Sequence, residues 1–191
     1  GPCVRNIATT HLLDRVAEAF GETCYEVPVG FKHISAAMQE HNAVIGGESS
    51  GGLPVRGHIN GKDGIYAATL LVEMLSVTGK TMSQLMKEIY AEFGTAYMSE
   101  FDWPFDQEMK DHLHHLLMVE KQLPSFPIPV VATNYMDGCK VLFENGWIIA
   151  RFSGTEPRLR VFCEMPTREE AERLTAVMAD FLGLPMPVKM V

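Results

Sequence analysis

The chain lacks any apolar run near the roughly 20 residues that a membrane-spanning helix needs, so no membrane partner is expected of its 191 residues. It also lacks an excess of positive charge. Sixteen Lys and Arg stand against 24 Asp and Glu, a formal charge of -8. A surface so biased repels a phosphate backbone, which argues against a nucleic-acid partner. Cysteine is sparse. Cys3, Cys24, Cys139 and Cys163 are scattered and form no C-x-x-C pair, so structural zinc is not expected. Reduced thiols and a cytoplasmic setting are. No repeat, no low-complexity tract and no secretory leader is visible. What remains is an ordinary globular composition, 47% hydrophobic, with length for one large domain or two small ones.

The first half alternates strand and helix. "CVRNIA", "TCYEVPV" and "NAVIGG" read as strands; "HLLDRVAEAFG" and "KHISAAMQEH" between them carry apolar residues at helical spacing. "DGIYAATLLVEMLSVTG" reads as a long helix, apolar nearly all round and therefore expected to be buried. "TMSQLMKEIYAEFG" opens with a T-x-x-Q capping box. This order predicts an α/β domain, three-layered, with a mixed, largely parallel sheet, over residues 1–97.

Then the rhythm changes. "TAYMSEFDW" reads as a strand, and "PFDQEMKDHLHHLLMVE" as a helix with Pro104 at its start. Four strand-like segments follow, from "VVATNY" to "RLRVFCEM". Asp137-Gly138 and Asn145-Gly146 lie between the first three and favour the positive φ of tight hairpins. A helix begins at the Thr167/Glu170 capping box. Residues 98–191 thus predict an α+β domain, an antiparallel sheet with helices on one face. His112, His114 and His115 lie close together on the helix of this half, but no carboxylate or cysteine partner is placed with them. A solvated face is expected there, not a metal site.

The densest chemistry is "RFSGTEPRLRVF". Arg151, Arg158 and Arg160 present planar forks of donors that match phosphate oxygens two at a time. Ser153 and Thr155 add hydroxyls, and Gly154 can take positive φ, letting successive N–H groups converge as an anion nest. An alternative is a plain hairpin whose arginines pair with Glu156 and Glu164. The residue chemistry alone leaves both open. Upstream, "GESSGG" puts Glu48 and Ser50 just past a strand, where α/β sheets bind ligands. A carboxylate there can accept from two neighbouring sugar hydroxyls; an ordinary solvated loop is the alternative.

The pattern R-x-S-G-T-E-P-x-x-R resembles the phosphate-binding loop of the α-D-phosphohexomutases, the phosphoglucomutase/phosphomannomutase family. "GESSGG" resembles that family's sugar-recognition loop, and "TTHLLD", "VGFKHI" and "HINGKDG" are similar to segments of its third domain. The likeness spans essentially the whole chain and implies the third and fourth domains of a four-domain enzyme. The fourth would resemble the TATA-box-binding protein in fold, without any DNA function. It further implies that Glu48 and Ser50 hold the 3- and 4-hydroxyls of a phosphorylated hexose, and that Arg151, Ser153, Gly154, Thr155 and Arg160 hold the phosphate not in transfer. Lys62 becomes the proton-transfer candidate. Gly30 and Lys32 are expected to line the cleft, and His58 to bond in the same region or to order its loop.

The family's phosphoserine loop and its D-G-D-x-D-R-like Mg²⁺ loop do not occur here. The resemblance therefore places no metal in this stretch. It implies a full-length isomerase that uses Mg²⁺, passes through a hexose 1,6-bisphosphate and needs N-terminal domains as partner, with no turnover by this part alone. A stand-alone phosphosugar-binding or interaction module is the alternative. Relatives carry further helical structure ahead of the first strand, so an exposed apolar patch and self-association are also expected.

Overall fold

The computed structural model describes residues 1–185. Its first strand, β1 (Cys3–Asn6), is buried along its whole length. Parallel strands are covered on both faces, and β1 takes the central place in a parallel sheet of order β2-β1-β3, with β2 at Cys24–Val27 and β3 at Ile45–Gly47. Two helices cover it, α1 (Leu12–Ala19) and α2 (Phe31–Glu40). From α2, Ile34, Ala37 and Met38 pack with Val4 and Ala43 into the core. Gly46 permits that approach, because a Cβ there would lie 2.6 Å from the Ile34 side chain and 2.9 Å from the Met38 sulfur.

Arg5, on β1, is buried. Its guanidinium grips Asp14 of α1 with two bonds, 2.5 and 2.8 Å, and Glu26 of β2 with a third at 2.6 Å. A buried cation is tolerable only with such pairing. Here it ties strand, helix and neighbouring strand together.

After the loop come α3 (Gly64–Thr78) and α4 (Met82–Phe93). The expected capping box is present: Thr81 accepts from the Gln84 N–H, and the Gln84 side chain accepts from the Thr81 N–H at 2.8 Å. The expectation that α3 is buried fails. None of its residues is buried, and Ile65 and Val77 are 84% and 80% exposed. Apolar content forces burial only where a partner surface exists, and the described residues supply none for this helix.

The chain forms two compact units, Gly1–Thr95 and Ala96 onward. The second is an antiparallel sheet of order β4-β8-β7-β6-β5. Its strands are β4 (Tyr97–Pro104), β5 (Ala132–Asn134), β6 (Cys139–Phe143), β7 (Gly146–Phe152) and β8 (Arg158–Met165). Pro104 closes β4 and does not open a helix. Instead α5 (Gln107–His114) starts behind Asp106, which accepts the Met109 N–H at 2.9 Å. A π-helical turn, His115–Val119, continues it. Finally α6 (Arg168–Phe181) lays Ala171, Leu174 and Met178 onto a core shared with Leu113, Val141, Ile148 and Val161.

Gly138 has the positive φ expected of the first hairpin turn, 102°. The second turn differs. Phe143 pairs with Gly146 across a two-residue loop, and neither Asn145 nor Gly146 has positive φ. Gly146 is needed for space: a Cβ would sit 2.2 Å from the Glu164 carbonyl oxygen.

Candidate functional site

All three parallel strands end at one sheet edge, where ligands of such sheets collect. The turn after β3 is closed by the Gly51 N–H donating to the Glu48 carbonyl at 2.9 Å. It folds the Glu48 side chain inward to 6% exposure. Glu48 Oε1 accepts from Ser50 Oγ at 2.7 Å and pairs with Lys62 Nζ. The ammonium also lies 3.4 Å from Ser50 Oγ and 5.5 Å from the centre of the Phe31 ring. Three of the residues singled out in the sequence, Glu48, Ser50 and Lys62, therefore form one cluster. Lys62 remains half exposed, so an incoming ligand can compete for its partners.

The other predicted residues of this unit divide. Gly30 is the N-cap of α2, with a φ of 134°. Lys32 is exposed on the first turn of α2, outside the Glu48 cluster. His58 is engaged in ordering its loop: it bonds Asp63 at 2.9 Å and stacks on Tyr66. Asp63 caps α3 by accepting the Tyr66 N–H, and that bond, with His58 second, holds its carboxyl below the usual carboxylate range. Phe31 was missed. A Cβ on Gly52 would lie 3.1 Å from both the Phe31 ring and Glu48 Oε1, so ring, glycine and carboxylate are mutually packed. Its place directly after Gly30 in "VGFK" was the available signal.

In the second unit, Arg151 on β7 faces Arg160 on β8 in direct register. Arg158 lies two residues from Arg160, so alternation puts all three on one sheet face. Their pairings differ. Arg158 bonds Asp102 at 3.0 Å and Arg160 bonds Glu156 at 2.6 Å, both near the surface. Arg151 is 7% exposed and only loosely paired, 3.3 Å from Asp137. Its Nε is buried with no acceptor. An orphaned buried donor is costly and leaves Arg151 with a hydrogen bond still to give.

The loop between the strands is folded on itself. The Ser153 N–H donates to the Arg158 carbonyl at 2.8 Å, and Ser153 Oγ accepts from the Thr155 and Glu156 N–H groups at 3.4 and 3.3 Å. The expected nest does not form: Gly154 does not adopt positive φ, and those N–H groups turn to the serine hydroxyl. Gly154 is exposed, with open space where a Cβ would stand. The plain-hairpin alternative accounts for Arg160, which does pair with Glu156. It does not account for Glu164, which accepts from Trp147 Nε1 at 3.1 Å, or for the orphaned Arg151 Nε.

Among the described residues, no three His, Cys, Asp or Glu side chains converge to hold a metal. His112, His114 and His115 are exposed.

Comparison with known proteins decides the family. Residues 1–93 match the phosphoglucomutase/phosphomannomutase α/β/α domain III, and residues 117–181 match the C-terminal domain of the same family. The chain belongs to the phosphoglucomutase/phosphomannomutase family. It is 32% identical over 173 residues to a phosphoglucomutase/phosphomannomutase of Thermococcus kodakarensis, covering 90% of this chain and 35% of that protein. A phosphoglucosamine mutase of Rubrobacter xylanophilus is 29% identical, covering 96% of this chain and 38% of the relative. In structure, the chain resembles a candidate phosphomannomutase from Thermus thermophilus, with a TM-score of 0.71 and 29% identity over 94% of this chain and 35% of that one. The chain thus spans about a third of the length of the relatives it matches. A parallel α/β unit followed by an antiparallel α+β unit is the architecture of the family's domains III and IV.

Proposed function

We propose that this chain is the substrate-holding C-terminal half of a phosphohexomutase, which interconverts hexose 1-phosphate and hexose 6-phosphate through a bisphosphorylated sugar. The observation that carries the reading is the buried, loosely paired Arg151 guanidinium with its unpartnered Nε, set in the R-x-S-G-T-E-P-x-x-R loop. In this reading Arg151, Arg160 and the Ser153–Thr155 segment grip the phosphate that is not being transferred. Arg160 leaves Glu156 to do so, and the N–H groups now on Ser153 turn to the phosphate oxygens.

Glu48 takes two adjacent ring hydroxyls, with Ser50 adding a third contact. The hydroxyls displace Lys62 from the carboxylate, which frees the ammonium to move a proton at the reacting oxygen. Gly30 and Lys32 complete the wall at the N-terminus of α2. His58 positions the loop. Magnesium is expected of the whole enzyme; among the described residues no group of side chains fits it. The N-terminal domains of the same protein are the proposed partner for turnover.

Titration calorimetry with glucose 1-phosphate, mannose 1-phosphate and unphosphorylated glucose tests this. Heat with either phosphate and none with glucose is the expected result. Equal response to glucose and its phosphate, or no response to any of the three, would overturn it.

A further inference from the structure

Two of the four cysteines are placed for chemistry that the mutase reading does not use. Cys3 of β1 and Cys24 of β2 stand opposite each other in parallel register. Paired residues on adjacent parallel strands point to the same face. Their Cα atoms are then about 4.8 Å apart, inside the roughly 4.4–6.8 Å that a disulfide spans. Both are free thiols.

The pair is also reachable. Cys3 lines a cavity of about 360 Å³ whose walls include Leu13, Val16, Phe20 and Val44. Cys24 is half-buried. Hydrogen bonding from Cys24 holds the Cys3 thiol below its ordinary value, with the Arg5 cation assisting and burial and Asp14 opposing; Cys24 is pushed up in turn. Cys3, which lines the cavity, is placed to be the attacking sulfur, and Cys24, opposite it on the neighbouring strand, the resolving one.

Cys139 and Cys163 are the internal contrast. Both are fully buried in the second unit's core, burial pushes Cys139 up to about 11, and it raises Cys163 further.

We propose that Cys3 and Cys24 form a redox-active dithiol, oxidised to a cross-strand disulfide by small disulfides of the glutathione class. The Cys3 thiolate attacks one sulfur of the small disulfide, breaking its S–S bond and releasing one small thiol. Cys24, losing its proton, then attacks the Cys3 sulfur of the mixed disulfide and releases the second. Two protein thiols are oxidised and one external disulfide is reduced to two thiols, so atoms and electrons balance.

The test uses the whole chain, reduced, then exposed to oxidised glutathione, blocked with alkylating agent and mapped by peptide mass. The expected product links the Cys3 and Cys24 peptides, with Cys139 and Cys163 recovered as thiols. Cys24→Ser is expected to stop at a stable glutathione adduct on Cys3. Cys3→Ser is expected to give no cross-link and at most a glutathione adduct on Cys24. Should a variant unfold, Cys139 and Cys163 become alkylatable before denaturant is added, and the wild-type linkage then decides alone. Four free thiols in the wild type at excess oxidant, or a lasting glutathione adduct in place of the cross-link, would overturn the proposal.

Discussion

Helices α3 and α6 are nearly equal in length and opposite in fate. Of the 15 residues in α3, only Glu73 is charged, yet none is buried. Among the 14 of α6 are charged residues on several turns, yet Ala171, Leu174, Thr175, Met178 and Ala179 are buried. The lesson is that burial follows a partner surface, not apolar content. A one-sided stripe over a sheet finds its place, whereas a helix apolar all round waits on what is packed around it. The same contrast runs through the units. The second has one extended core joining sheet and helices; the first has a small core around Val4 and Ile34.

Substitutions can sharpen or break this comparison. Leu174→Ala, in the α6 core, should cost about 2–5 kcal/mol in denaturant unfolding. A loss under 1 kcal/mol would mean the second unit is not packed as described. Gly146→Ala should cost roughly 1–3 kcal/mol or more in the same measurement, as overpacking against the Glu164 carbonyl. Thr81→Ala, removing the capping box of α4, should cost about 1 kcal/mol, read in the first unit's transition. Smallest of all, Val77→Ala and Ile65→Ala on α3 should change stability by no more than about 0.5 kcal/mol. A loss near that of Leu174→Ala would show that α3 is covered in solution.

Much of the fold was legible because periodicity reports it directly. The three parallel strands, the Thr81/Gln84 capping box, and β8 at Arg158–Met165 stand where their patterns put them, while at Thr167 only half of the expected box forms: the threonine caps the Glu170 N–H, and the Glu170 carboxylate takes the threonine hydroxyl. What escaped depends on contacts distant in sequence. Pro104 belongs to a strand because it pairs with Arg158 of β8, far along the chain, and the helix instead starts behind Asp106. Gly146 looks like a turn glycine, but its reason is a carbonyl on the neighbouring strand. The Glu48–Ser50–Lys62 cluster was nearly readable, all three lying within fifteen residues. The packing of Phe31 on that cluster was not, and neither was the Arg5 triad, which joins three elements.

Arg151 is the proposed anion ligand, and its neighbour Arg158, 42% exposed and paired with Asp102, is not. Titrating glucose 1-phosphate into the wild type, Arg151→Ala and Arg158→Ala measures that difference directly. Arg151→Ala should weaken binding by roughly 1.5–3 kcal/mol, the worth of a charged hydrogen bond, with Arg158→Ala losing under about 1 kcal/mol, as for a surface pair. Equal losses, or an affinity unchanged by Arg151→Ala, would contradict it.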